Sequence, residues 1–407
     1  MQYSTFVLSN GLRIIHLPSN SHVSYCGYVV HAGARDEKKD RHGLAHFVEH
    51  ALFKGTEKRK VRHILNRMEA VGGELNAYTT KEETFLYTVC LQEDTERAIE
   101  LLSDIIFNSQ FPDSEIEKEK DVVIDELHSY EDTPSELIFD EFENMLFAGN
   151  DLGHAVLGDE ESIKSFSSMS CKDFVREYYR PDNMIFFSHG KTPFAKILRL
   201  VEKYSPAFTS GARNDIHRQN TELFPVNTIT RKKDLHQTHV VTGGKAYGLY
   251  EDRRMGLLLL TNILGGTGMN SRLNVSLREK YGLVYTVDAE IVSYTNTGVF
   301  TIYFGCDNES VEKCLSLIHK ELKRLRDKRL TSSQFAAAVK QWKGQLGIAS
   351  DNKESIALRL GKIFLHFNQY ETLPQTYQKI DALTAESLLE IANEIFDEKQ
   401  LFSLIYQ

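Results

Sequence analysis

The sequence predicts an α+β protein built from two homologous domains, each a mostly antiparallel sheet packed with helices. Three observations lead to this prediction. The chain has 407 residues, enough for two domains of ordinary size that each bury a core. Its strand-like runs are followed by clusters of helix-like runs, without the strict alternation of a doubly wound sheet. In addition, one segment of the first half reappears in the second half.

The internal repeat consists of LYTVCLQEDTERAIELLSDII at residues 86–106 and IYFGCDNESVEKCLSLIHKEL at residues 302–322. In this alignment Tyr87 matches Tyr303. Each copy has a strand-like run, a polar turn, and a run whose apolar residues are spaced as on a helix. The alternative is an accidental likeness of two strand–turn–helix units. Duplication of an α+β domain explains the repeat better.

A segment rich in Ser, Asn, Gly and Pro separates the two copies and shows little periodicity, which is typical of a linker. We therefore expect a first domain at residues 1–212, a linker at 213–228 and a second domain at 229–407.

Composition and charge restrict the function. The net charge of −9 opposes nucleic-acid binding, since no local basic patch is evident in the sequence. Grooves for basic or unfolded peptides remain compatible with it. The five cysteines form no C-x-x-C pair, which favours a reducing compartment without disulfides. We find neither a secretory signal nor the ~20 apolar residues of a membrane span. The expectation is a cytoplasmic protein with no membrane association, unless a leader has been removed.

The clearest motif is GLAHFVEHALFKGT, which contains His46, Glu49 and His50 in the order H-x-x-E-H. Its surroundings predict a helix that ends near Gly55. Two histidines four residues apart share a helix face and suit Zn²⁺ as neutral ligands. Glu49 is then placed to act as general base toward a water at the metal. A chance motif on a solvated face is the alternative, but the apolar neighbours argue against it.

A second helix supplies a candidate third ligand. The segment 112–134 predicts a helix that begins near Asp113 and ends before Pro134. Glu119 and Glu126 are seven residues apart and fall on its apolar side, which is formed by Ile116, Val123, Leu127 and Tyr130. We assign Glu126 as the third zinc ligand and Glu119 as a group that orients a ligand or holds a proton. Three protein ligands leave a position open, as in catalytic sites.

Two other histidines lie near these motifs. His42 and His154 are alternative candidate ligands, but we expect both to be structural, hydrogen-bonding histidines.

Several motifs together resemble the M16 family of metallopeptidases, the group of mitochondrial processing peptidase, pitrilysin and insulin-degrading enzyme. In order they are GLAHFVEHALFKGT, GGELNAYTTKEET, Glu126 and LGGTGMNSRLNVSLREKYGLVYTV, and the resemblance spans nearly the whole chain. Val48 stands where the family typically has Leu, which is a change in the core. The resemblance implies a clamshell of homologous α+β domains that enclose a chamber, with half-length chains pairing as dimers. The second copy has MGLLLLTNILGG without histidine, so only the first domain would bind zinc.

The resemblance also implies residues that contact the substrate. Arg278 and Tyr285 match an Arg and a Tyr that a non-metallated domain places against the scissile bond, where both donate to a developing oxyanion. A surface Arg and a core Tyr are the alternative. Asn76 and Ala77 match a strand edge that aligns the substrate as an added strand. Processing peptidases select Arg near the cleavage point through an acidic pair, matched here by Glu136 and Asp140; ordinary surface acidity is the alternative.

The expected function is that of a zinc endopeptidase, with one zinc per chain, which hydrolyses unfolded peptides inside a closed homodimeric chamber. A non-catalytic scaffold subunit of a larger assembly is the alternative. Such subunits typically lack part of the motif, and nothing is missing here. A heterodimer whose other chain supplies the Arg and Tyr is a third reading, but this chain carries both.

Overall fold

A computed structural model of the chain describes residues 3–206, 227–233 and 235–407. Most of the predicted linker at 213–228 lies outside these described residues. The strands are β1 Ser4–Val7, β2 Arg13–Pro18, β3 Val23–Val30, β4 Glu74–Thr79, β5 Thr84–Leu91, β6 Met184–Gly190, β7 Ile229–Arg231, β8 Thr238–Ala246, β9 Val284–Ser293, β10 Gly298–Cys306 and β11 Phe402–Tyr406.

The helices are α1 Leu44–Leu52, α2 Val61–Glu69, α3 Thr95–Asn108, α4 Asp113–Glu131, α5 Pro134–Leu146, α6 Glu160–Ser165, α7 Ser168–Tyr178, α8 Phe194–Tyr204, α9 Arg254–Gly265, α10 Val311–Asp327, α11 Ser332–Ala349, α12 Lys353–Phe367, α13 Leu373–Asp381 and α14 Ala385–Ile395. A π-helical segment covers Asn274–Glu279. Of the helices in the described part of the chain, none is long and apolar enough to cross a membrane.

The strands form two sheets with matching topology. The first has the order β1-β2-β6-β3-β5-β4 and the second has the order β7-β11-β8-β10-β9. Each sheet is antiparallel apart from one parallel pair of strands. This pair is β2 with β6 in the first sheet and β7 with β11 in the second. These pairs occupy equivalent places, and β5 with Tyr87 corresponds to β10 with Tyr303. The predicted α+β class and the two homologous domains are confirmed.

Residue contacts divide the chain into two compact units that are not continuous in sequence. Unit 1 comprises Met1–Ser129, His154–Ile216 and Ser350–Thr372, and unit 2 comprises Tyr130–Gly153, His217–Ala349 and Leu373–Gln407. This differs from the division at 1–212 and 229–407 expected from the sequence. Helix α12 packs within unit 1 although it lies late in the chain, and α5 packs within unit 2 although it lies early.

In unit 1, α12 covers one face of the six-stranded sheet. Leu360 and Phe364 pack with Ile185 and Phe187 in a buried cluster. The helix packs closely on the sheet at Gly361, where an added Cβ would lie 2.9 Å from Phe187 Cδ1. Helix α3 packs on the same sheet. With helices on both faces, β3 is buried along most of its length and does not alternate.

In unit 2, α5 packs on the five-stranded sheet. Phe142 of α5 stacks on Phe402 of β11 with ring centroids 4.3 Å apart, in a cluster that also contains Leu404. A separate core contains residues of α9, α10 and α14 together with Phe300 and Ile302 of β10. Each unit therefore buries a core of its own, as the chain length predicted.

Candidate metal centre

The N-terminus of helix α1 packs against neighbouring backbone and is hydrogen-bonded by a buried glutamate. Gly43 precedes it with φ of 90°, and a Cβ there would lie 2.5 Å from the carbonyl oxygen of Leu157. The buried carboxylate of Glu37 accepts hydrogen bonds from Gly43 N at 2.8 Å and Ala45 N at 2.7 Å. These hydrogen bonds satisfy N–H groups that would otherwise be free at the helix N-terminus. The start of the helix is thereby fixed two residues before His46.

The motif on α1 faces the protein interior. Phe47, Val48 and Ala51 are fully buried, while His46 and Glu49 are only 8% and 7% exposed. The alternative of a solvated helix face is therefore wrong. The rings of His46 and His50 meet edge to face with centroids 4.7 Å apart, a proximity expected for residues one turn apart.

Helix α4 brings both predicted glutamates to the same histidine. It spans Asp113–Glu131, as predicted. Glu126 Oε2 lies 3.2 Å from His50 Nε2, and its Oε1 lies 3.7 Å from His46 Nε2. Glu119 Oε1 lies 2.9 Å from the other ring nitrogen of His50, Nδ1. The seven-residue spacing thus places one carboxylate at each nitrogen of His50.

His46, His50 and Glu126 form a group whose ligand atoms all lie within 4.8 Å of one another. With zinc–ligand bonds of about 2.0–2.1 Å, tetrahedral ligand atoms lie about 3.4 Å apart. The two distances from Glu126 to the imidazoles bracket that value. Two imidazoles and a carboxylate are donors that zinc prefers, so the residues fit a zinc ion.

The charges around the group also fit a cation. Burial and the neighbouring His50 lower the pKa of His46 to about 4, which keeps its imidazole neutral. At His50, burial is outweighed by the hydrogen bonds to Glu119 and Glu126, which raise its pKa to about 9. The raised pKa reflects the negative charge that faces this ring. A divalent cation held by the three ligands would be stabilised by the same charge.

Glu119 has the geometry of an orienting residue. It is 4% exposed, and its second oxygen lies 2.5 Å from Lys54 Nζ. Burial alone would raise the pKa of Glu119, but the hydrogen bonds from His50 and Lys54 lower it. An ionised carboxylate that accepts from Nδ1 fixes the ring and leaves the Nε2 lone pair for a metal. Lys54 was not predicted as part of the site, although it lies within GLAHFVEHALFKGT, four residues after His50.

We expect Glu119→Gln to weaken zinc binding by about 10–100-fold, because the amide loses the charge that orients His50 and raises its basicity. Competition with a chromogenic chelator measures the affinity. Glu117→Gln is the matched control, since Glu117 is exposed on the same helix and pairs only with Lys120 among the described residues. Equal affinity in the two variants would contradict the orienting role.

Glu49 lies beside the metal group and is held by a strand residue. Thr79 of β4 donates a hydrogen bond from Oγ1 to Glu49 Oε2 at 2.6 Å. Burial raises the pKa of Glu49, and the Thr79 hydrogen bond partly opposes this rise. His50 and Glu126 also act on its charge, so the carboxylate shares their environment. Thr79 was not predicted as part of the site, although it lies within the motif GGELNAYTTKEET.

Strand β4 is an edge strand of the first sheet. Asn76 and Ala77 pair there with Tyr87 and Leu86 of β5, and no strand of the described chain pairs with the other side of β4. The same strand carries Thr79, which bonds Glu49. The unpaired edge therefore continues to the residue that holds Glu49.

The remaining candidate residues belong to unit 2. Arg278 is exposed in the π-helical segment. Tyr285 of β9 is 61% exposed, and its hydroxyl lies 3.4 Å from Asp307 Oδ1. The alternative of a core tyrosine is therefore wrong. Glu136 and Asp140 lie one turn apart on α5, with Glu136 exposed and Asp140 half-buried.

The two other histidines are structural, as expected. His154 Nε2 lies 2.9 Å from the carbonyl oxygen of Ala34 and 3.2 Å from Glu37 Oε2. His42 stacks on it with ring centroids 3.9 Å apart. Both contribute to the support around the start of α1 and lie outside the metal group.

A helix that presents H-x-x-E-H on a duplicated α+β scaffold, with a glutamate from a second helix, is typical of the inverted-motif zinc peptidases. Sequence profiles agree with this class. The profile described as Insulinase (Peptidase family M16) matches residues 14–160. The profile described as Peptidase M16 inactive domain matches residues 165–342. The chain belongs to peptidase family M16.

Similar proteins have comparable length. The uncharacterized zinc protease YmxG of Bacillus subtilis is 31% identical over 403 residues, which cover 98% of this chain and 97% of the relative. An uncharacterized zinc protease of Streptomyces coelicolor is 30% identical over 413 residues, covering 98% and 88%. A protease from Helicobacter pylori shares the fold with a TM-score of 0.91 at 21% identity, covering 100% of this chain and 99% of that one.

Proposed function

We propose that the chain is a zinc-dependent endopeptidase that hydrolyses unfolded peptides, with one zinc held by His46, His50 and Glu126. The observation that carries this proposal is the metal group itself. It offers three protein ligands, and a buried carboxylate that is not a ligand, Glu49, lies beside them. Three ligands with an open position are the arrangement of catalytic zinc sites. Cleavage of a mixed peptide library before and after chelation tests the proposal.

Zinc bound there would act as a Lewis acid and lower the pKa of a water ligand toward about 7. Glu49 accepts a proton from the attacking water as general base. Burial raises the pKa of Glu49, which favours its role as the group that then passes the proton to the leaving amine. Thr79 holds one oxygen of Glu49 and leaves the other for this exchange. Glu119 keeps His50 oriented throughout.

Substrate alignment is assigned to the free edge of β4. A peptide that adds to this edge as a strand hydrogen-bonds through its backbone to the segment with Asn76 and Ala77. Because only an extended chain can pair in this way, the substrate must be unfolded there. The bonds are to main-chain atoms, so this edge selects conformation more than sequence.

We further propose that two copies of the chain form a homodimer and enclose a chamber, in which Arg278 and Tyr285 of one copy act on substrate at the zinc of the other. Both side chains are exposed, and Arg278 has no ion pair within the described residues. Two exposed donors seven residues apart are suited to a developing oxyanion.

Mixed dimers test this arrangement. Glu49→Gln and Arg278→Ala homodimers are each expected to be nearly inactive. In a mixed dimer, one of the two sites combines intact Glu49 with intact Arg278 and Tyr285. Random pairing on co-expression makes about half of the dimers mixed, so about a quarter of all sites should become active. If both groups act within one chain, every site keeps a lesion and no activity returns. A fully active monomer in sedimentation would also contradict the proposal.

The acidic pair on α5 is proposed to bind an Arg of the substrate near the cleavage point. Glu136 and Asp140 are one turn apart, close enough to share one guanidinium. Replacing both by Lys should lower the preference for Arg over Ala at that position by about tenfold or more, as measured by peptide-library profiling. Glu131→Lys with Asp132→Lys is the control, since both acids are exposed nearby. An unchanged cleavage profile would show that Glu136 and Asp140 are ordinary surface acids.

A further inference from the structure

Unit 2 contains a cavity of about 670 Å³ with a strongly basic lining. It lies among the π-helical segment, α10 and the start of α11. One carboxylate, Glu321, lines it. Six cationic side chains line it as well: Arg272, Lys280, Lys320, Arg324, Lys328 and Arg329. This is unusual in a chain whose net charge is −9.

Most of this positive charge is not matched by nearby carboxylates. Arg324 forms an ion pair with Glu321, and Arg329 forms one with Glu386. Within the part of the chain that the structure describes, no ion pair involves Arg272, Lys280, Lys320 or Lys328. Among the described residues, the cavity therefore holds more cations than the one carboxylate lining it can compensate, which costs Coulomb energy unless an anion is bound.

Arg272 is the least solvated of these cations. It is half-buried, and burial lowers its pKa, an effect that Glu321 opposes and Arg324 reinforces. Glu321 is 6% exposed and already paired with Arg324, so its charge compensates Arg272 only in part. A half-buried guanidinium without its own acid is a favourable partner for an oxyanion, which it binds with two parallel hydrogen bonds.

The cavity also has an apolar wall. Leu317, Leu330 and Val275 line it beside the ring of Tyr281, which is 44% exposed. The Nζ atoms of Lys280 and Lys313 lie 5.2 and 5.0 Å from the centre of that ring. These two lysine nitrogens lie over the ring, so the wall combines apolar contact for a ligand's heterocycle with cations for its linked anionic groups.

We propose that this cavity binds a small molecule that carries several linked phosphates, such as a nucleoside triphosphate. The cations converge on a volume that fits one small molecule, and a chain of phosphates concentrates several charges there. An acidic peptide is a poorer match. Its successive side chains alternate in direction, so carboxylates on one face lie about 7 Å apart. A long nucleic acid is opposed by the negative charge of the rest of the chain.

Calorimetric titration of the full chain with tripolyphosphate, and separately with ATP, tests the site. We expect saturable binding at about one ligand per chain. Lys320→Gln with Lys328→Gln should weaken tripolyphosphate binding by about tenfold or more, since each substitution removes a charge-assisted hydrogen bond to a phosphate. Both lysines are exposed, so the variant is expected to fold.

The control is Lys323→Gln with Lys399→Gln, which removes the same charge at exposed positions outside the cavity. It should change affinity by less than about twofold. Equal weakening in the two variants, or no binding at millimolar tripolyphosphate, would overturn the proposal. Tighter binding of a hexaglutamate peptide than of tripolyphosphate would overturn the choice of phosphate. Glu49→Gln should bind tripolyphosphate like the wild type, which separates this result from any result on peptide cleavage.

Discussion

Replacement of Glu49 by Gln is expected to lower kcat/KM for peptide cleavage by about 10²–10⁴-fold while zinc stays bound. The amide cannot accept the proton of the attacking water, and general-base catalysis contributes about this factor. The ligands are separate residues, so His46, His50 and Glu126 keep their positions. Gln also retains an oxygen for the hydrogen bond from Thr79. This variant should therefore lose most of its cleavage rate but keep its zinc.

Glu57→Gln is the matched control, because Glu57 is exposed shortly after α1 and away from the metal group. It should cleave peptides at the wild-type rate. Steady-state kinetics on a quenched-fluorescence peptide, together with elemental analysis of zinc, gives both quantities. If Glu49→Gln cleaves at the rate of Glu57→Gln, Glu49 is not the base. If it loses zinc, its effect is structural and the assigned role is wrong.

The sequence predicted the metal group because its members obey short local rules. Two histidines four residues apart on a helix must share a face, and two glutamates seven residues apart must share a side of theirs. The apolar neighbours of both helices then indicated that these polar faces point inward. The helix bounds at Asp113 and Glu131 followed from the same periodicity and from Pro134.

The residues that support the group were not predictable in this way. Thr79 bonds Glu49 from a strand, and Glu37 caps α1 from an irregular segment. Each contact joins segments that are separated in the sequence, and neither residue type has a distinctive pattern there. Such contacts arise from tertiary packing, which a single sequence does not specify residue by residue.

The membership of α5 and α12 in the two units was also not visible. An amphipathic pattern shows that a helix buries one face, but it does not show which sheet receives that face. The close approach at Gly361 depends on Val29 and Phe187, far away in the sequence. The basic cavity escaped notice for a similar reason. Its cations come from separate segments, each of which looks like an ordinary charged surface.

Removal of the metal should have the other large effect. Chelation is expected to reduce peptide cleavage to the background rate, since Glu49 alone does not activate water for amide hydrolysis at a useful rate. His50→Ala should bind little zinc, because it removes one ligand and leaves Glu119 and Glu126 facing each other without the imidazole. His63→Ala is the control, since His63 is exposed on α2, and it should keep its zinc.

The most direct test is a titration of chelated, full-length protein with Zn²⁺ while cleavage of an unfolded peptide is followed. We predict that the rate rises in proportion to added zinc, reaches a plateau at one zinc per chain, and does not rise at all in His50→Ala. A chelated protein that still cleaves at the full rate, or a His50→Ala variant that recovers with zinc, would contradict zinc-dependent hydrolysis at His46, His50 and Glu126.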